Sequence, residues 1–167
     1  MLAHVFSDLE GLRIACEMER RGEAFYLRAA KLSKSAAARL LLESLAGEER
    51  AHFGEFQRLY ERRLAACGGC EDPYDDETNA YLSAVAADVV FPGGLMAIRR
   101  EGFDSPSAVL LYAIQSEKDS VLFYTELAEK ARDAGAGEVF REIARQERQH
   151  MRRLQQKLME TEGEDKA

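Results

Sequence analysis

Apolar residues recur three and four positions apart along most of this chain, with charged residues filling the places between them. Leu12, Ala15, Phe25, Tyr26, Ala29 and Ala30 carry that spacing through a first predicted helix. Ser7-Asp8-Leu9-Glu10 opens it as a capping box, in which a serine and a glutamate three residues on satisfy each other's free backbone N–H groups. The helix is expected to last to about Ser33. Ser35 can cap a second one from Ala36 to roughly Ala66, and so short a connection makes an antiparallel hairpin. Ser105-Pro106 marks a third helix with proline in its first turn, extending to about Asp133. Ala134-Gly135-Ala136-Gly137 is read as a break, followed by a fourth helix from about Glu138 to Met159. The charged tail 160–167 lacks an apolar stripe and is expected to fray.

Between the hairpins, residues 67–105 form a long crossover containing "CGGCEDPYDD" and "FPGG", with "ETNAYLSAVAADVVF" reading as a short extra helix. The fold expected is an all-α four-helix bundle with one long crossover, a single domain over 1–167. It would consist of one hairpin at about 8–66 and another at about 106–159. Sliding the chain by 98 residues lays one hairpin on the other without a gap. Leu12 to Tyr60 then matches Leu110 to Leu158, with 13 identities in 49 positions. The pairs include Glu19/Glu117, Phe25/Phe123, Tyr26/Tyr124, Glu49/Glu147, Arg50/Arg148 and His52/His150.

Two of the three histidines thus end a Glu-x-x-His step, and each such glutamate follows another by 30 residues, 49 − 19 and 147 − 117. On a helix, positions i and i+3 share a face. Glu49 with His52 and Glu147 with His150 can therefore point together at the bundle axis, joined by Glu19 and Glu117 from the other two helices. One glutamate from each of two helices plus Glu-x-x-His from each of the others is the ligand set of carboxylate-bridged two-metal bundles. Four carboxylates balance two divalent ions in charge. Six protein ligands leave positions for dioxygen or peroxide. The oxygen-rich set suits two iron ions or manganese, and zinc also fits. Tyr26 and Tyr124, each seven residues after a ligand glutamate, are candidates to hydrogen-bond a ligand carboxylate; a plain core tyrosine is the competing reading.

Composition changes the picture little. A net charge of −7 argues against a nucleic-acid partner. The start lacks a signal-peptide pattern and no apolar run is long enough for a bilayer, so a cytoplasmic protein with no membrane association is expected. Cys16, Cys67 and Cys70 do not make a disulfide framework, in keeping with a reducing compartment. Cys67 and Cys70 frame a Cys-x-x-Cys that is a weak candidate redox pair or half of a shared metal site. Cys16 is read as a small buried hydrophobe.

"EMERRGEAFYLRAA" with "EERAH", and "SEKDSVLFYTELAE" with "QERQH", resemble the two helix hairpins of the rubrerythrin branch of the ferritin-like superfamily. The likeness implies a non-haem di-iron centre on Glu19, Glu49, His52, Glu117, Glu147 and His150. It also implies a homodimer and peroxide-reducing or iron-oxidising chemistry. Two departures stand out. The chain ends at Ala167 with one Cys-x-x-Cys, so it is expected to lack the C-terminal rubredoxin domain. Ser120, with repeat mate Gly22, stands where that family has an extra carboxylate.

The function expected first is a di-iron oxidoreductase acting on peroxide or dioxygen, with electrons from an external donor such as a separate rubredoxin. Glu49 and Glu147 are the best bridging carboxylates, and Glu19 and Glu117 the terminal ones. A ferroxidase or iron-handling protein, and a non-catalytic metal-stabilised scaffold, are the alternatives.

Overall fold

A computed structural model of the chain describes residues 7–68, 103–131 and 134–164. Four α-helices account for nearly all of them: α1 (Asp8–Leu32), α2 (Ala36–Ala66), α3 (Pro106–Glu129) and α4 (Ala134–Glu164). No strand occurs among the described residues. The chain is all-α, with the four helices packed as two hairpins, α1 on α2 and α3 on α4. The hairpins meet where α1 approaches α4 and α2 approaches α3. The short helix expected within "ETNAYLSAVAADVVF", and Cys70, lie outside the described residues. No described helix is long and apolar enough to cross a membrane.

The helix starts follow the expected chemistry. Ser7 Oγ accepts from Glu10 N at 3.2 Å, and Glu10 Oε2 accepts from Ser7 N at 2.8 Å, which closes the capping box. Ser35 and Ser105 cap α2 and α3 by accepting from Ala38 N and Ala108 N, each at 3.2 Å. Buried Ser33 ties the return of the chain to the end of α1. Its hydroxyl donates to Ala29 O at 3.0 Å and accepts from Phe103 N at 3.1 Å. Phe103 also lies edge-on to Phe25, on which Tyr112 stacks at 4.8 Å between ring centroids.

The apolar series read from the sequence is the core. Leu12, Ala15, Phe25, Tyr26, Ala29 and Ala30 are all buried, together with Leu42, Leu45, Phe56, Leu110, Phe140, Ile143 and Leu154 from the other helices. Phe123 is only partly buried at the margin of this core. Gly11 sets the approach of α1 to α4: a Cβ there would fall 1.7 Å from Cε1 of the fully buried Phe140.

The last helix departs from expectation at both ends. Ala134-Gly135-Ala136-Gly137 is its first turn rather than a break, and α3 ends earlier, at Glu129. Ala136 is completely buried, and that packing outweighs the poor helix propensity of two glycines. At the other end α4 continues past Met159 through most of the presumed tail. Gln156 Nε2 bonds Glu160 Oε1 at 3.0 Å, and Thr161 Oγ1 donates to Lys157 O at 2.9 Å. Both ends obey the 98-residue repeat, since α2 at 36–66 displaced by 98 gives 134–164.

Candidate metal centre

Each of the four helices turns one carboxylate inward at mid-bundle. Glu19 on α1, Glu49 on α2, Glu117 on α3 and Glu147 on α4 are buried, as is His150, whereas His52 is partly buried. The i, i+3 spacing carries each histidine onto the face of its glutamate. Ligand atoms from Glu19, Glu49 and His52 lie within 4.8 Å of one another, and the same holds for His52, Glu147 and His150. His52 Nδ1 is 3.5 Å from Glu19 Oε2, and His150 Nδ1 is 2.6 Å from Glu117 Oε1. The two imidazoles meet edge to face, with centroids 4.8 Å apart. All six residues singled out in the sequence therefore converge on one place.

Their polar atoms are poorly satisfied. Glu19 Oε2, Glu117 Oε2, Glu147 Oε1, His52 Nδ1 and His150 Nδ1 are buried without a hydrogen-bond partner. Each such atom costs about 1–3 kcal/mol, so a cluster of five at the centre of a bundle needs a compensating ligand. The orphaned atoms are carboxylate oxygens and imidazole nitrogens, the donors that bind divalent transition metals. The residues present fit two such ions.

The electrostatics lead to the same requirement. Burial pushes the Glu19 carboxyl up to about 7, with the neighbouring Glu117 charge adding to the rise. Burial also lifts Glu49 and Glu147 well above the carboxylate range, with Glu19 the leading charged neighbour of the first and Glu117 of the second. Burial works against ionisation of Glu117 too, but its contacts with Glu147 and His150 outweigh it and lower the carboxyl. Desolvation would lower His150, yet contacts with Glu117 and Glu48 raise it to about 10. Desolvation and the adjacent His150 lower His52. Without a cation the cluster thus holds protons, since four inward carboxylates cannot all ionise at this spacing.

Beside the carboxylates lies a void of about 10 Å³, lined by Met18, Gly22, Ser116 and Ser120 together with the four glutamates. That is about the space of one water-sized molecule. Gly22 keeps it open on the α1 side, because a Cβ there would sit 3.0 Å from Cδ of Glu49. Ser120, its repeat mate, is buried on the α3 side and supplies a hydroxyl but no carboxylate.

Of the two readings of the tyrosines, Tyr124 follows the core one. Tyr124 is fully buried, but its hydroxyl donates to Met18 Sδ at 3.2 Å rather than to a carboxylate. Tyr26 is equally buried; burial and then the nearby Glu49 and Glu117 charges push its phenol far up, so both rings stay protonated. Cys16 is a free thiol, partly buried, with Sγ 3.9 Å from Gln57 Oε1, and burial raises it to about 12. Cys67, at the end of α2, is disulfide-bonded.

One residue escaped the sequence reading. Glu48, beside Glu49 on α2, places Oε2 2.6 Å from His150 Nε2. Within one helix no spacing rule finds such a contact, because the partner is on another helix 102 residues away. The Glu48-Glu49 doublet was the only signal in the sequence.

Comparison with protein families matches residues 108–167, which span α3 and α4, to the Rubrerythrin family. Comparison with curated proteins and with solved structures gives no match. The resemblance drawn from the sequence is thereby shown in the second hairpin, and the first repeats that hairpin's site residues at the 98-residue offset.

Proposed function

From the rubrerythrin-like second hairpin, we propose that this chain is a non-haem dinuclear metal protein that holds two iron ions and reduces hydrogen peroxide. The observation that carries it is the convergence of Glu19, Glu49, His52, Glu117, Glu147 and His150, with five buried donor atoms lacking an aligned hydrogen-bond partner. Glu19, Glu49 and His52 would serve one ion, and Glu117, Glu147 and His150 the other. Glu147 is within 4.8 Å of both histidines, which supports a bridging role for it and, through the repeat, for Glu49. Two ferrous ions bound there would supply the two electrons that, with two protons, convert peroxide to two waters.

The chain's own residues do the rest. The carboxylates offset the charge of two divalent ions inside the bundle. Met18 and the surrounding apolar core keep bulk water out, which strengthens every charge interaction at the site. The void beside Gly22, Ser116 and Ser120 has room for about one water-sized molecule, which favours the smallest substrates. The Ser120 hydroxyl is placed to hydrogen-bond what enters. An external one-electron donor such as a separate rubredoxin, a homodimeric state and a cytoplasmic setting belong to the same proposal.

The test begins with metal content on protein purified without added metal, beside Glu49→Ala and Glu147→Ala. Close to two iron per chain, lost in both variants, is expected. Reduced, iron-loaded protein should then be oxidised by peroxide much faster than free ferrous ion. A rate no faster than that of the free ion sinks the peroxidase reading, and metal-free protein after anaerobic ferrous loading sinks the site itself.

A further inference from the structure

The hydrogen bond between Glu48 and His150 breaks the symmetry of the two half-sites. Glu48 Oε2 lies 2.6 Å from His150 Nε2, and the other ring nitrogen, Nδ1, is the one 2.6 Å from Glu117 and without an aligned partner. An N–H held by a carboxylate fixes which nitrogen carries the proton, orients the ring, and makes the opposite nitrogen a better donor. Glu48 reaches across from α2 to α4, is about one-third exposed at 34%, and has Lys157 Nζ 4.0 Å from its other oxygen.

The repeat places Gln146 where Glu48 stands, since 48 + 98 = 146. A neutral amide therefore replaces the carboxylate in the other half. Gln146 Nε2 donates to Glu142 Oε1 at 3.1 Å, and its Oε1 is buried without a partner. Among the described residues, His52 has no carboxylate contact comparable to that of Glu48; its ion-pair neighbour is Glu19 at 3.5 Å from Nδ1.

We propose that Glu48 is a positioning residue that holds His150 with Nδ1 toward the metal centre and makes the two metal positions unequal, the His150 position being the tighter. The proposal rests on the dinuclear site proposed above. Cobalt(II) alone is the probe, because its visible absorption reports ligand geometry and needs no turnover. Wild-type protein should take up two cobalt ions in two resolved steps. Glu48→Gln keeps the size and the acceptor oxygen but removes the charge. It should weaken the tighter step by roughly 10–100-fold and alter that step's absorption bands, leaving the other step within about threefold.

In the metal-free protein, imidazole ¹⁵N–¹H correlation should place a slowly exchanging proton on His150 Nε2, exchanging markedly faster in Glu48→Gln, where the charge that holds it is gone, and with no counterpart on His52. Melting temperature and circular dichroism verify that the variant is folded. Two cobalt ions bound with both steps unchanged, or weakened alike, overturn the role of Glu48 while leaving the dinuclear site standing. A wild-type protein that binds no cobalt overturns both.

Discussion

Glu147 is buried among three other carboxylates, so its charge is an expense to the metal-free fold and an asset only when a cation is bound. Glu147→Gln keeps the shape and removes that charge. At pH 8 the metal-free variant should melt above the metal-free wild type by an amount corresponding to about 1 kcal/mol, roughly 2–4 °C for a chain of this size. The rise in melting temperature on adding ferrous or cobalt ion should disappear. Calorimetry on both forms, with and without metal, checks both halves, and a variant less stable than wild type without metal would contradict them. The six inward residues were legible because they recur in register, each Glu-x-x-His glutamate 30 residues after its partner. Glu48 and the bond from Tyr124 to Met18 were not. Both are contacts between helices, fixed by packing that no spacing along one helix encodes.

Helices are where sequence and structure agree most closely. Capping serines and apolar spacing place the starts of α1, α2 and α3, because these signals act within a few residues. The start of α4 is decided by tertiary packing of Ala136, which local propensity does not report, although the repeat carried it. Close approach between α1 and α4 is equally a matter of packing and hangs on Gly11. Gly11→Ala would drive a methyl into the Phe140 ring, which is fully enclosed and has nowhere to go without displacing its neighbours. Such overpacking costs about 1–3 kcal/mol. Urea unfolding should show that loss as a lower midpoint at unchanged slope, whereas Gly47→Ala, with open space around its Cβ, should not destabilise.

For the whole molecule the proposed metal centre would join the two hairpins, because its candidate ligands come from all four helices. Stability should therefore depend on metal and on pH together. In the metal-free protein Glu19 rises to about 7, burial lifts Glu49 and Glu147 well above the carboxylate range, and His150 rises to about 10, so the folded state binds more protons than the unfolded chain. Groups with raised values stabilise fully below their unfolded values and lose that contribution as pH climbs through the folded ones. The lowered groups act elsewhere. Glu117 matters only on acidification below the carboxylate range, and the lowered His52 costs stability only near and below pH 6.5. Between pH 6.5 and 9 the raised groups act alone, and the metal-free protein should melt at progressively lower temperature. Divalent metal takes the place of those protons, so its stabilisation should grow over the same interval, about 2.7 kcal/mol being expected at a free metal concentration 100 times the dissociation constant. Melting curves of chelator-treated and metal-loaded protein across that interval should diverge. Parallel curves would mean that the buried carboxylates do not exchange protons for metal, and that the two hairpins are held by their apolar faces alone.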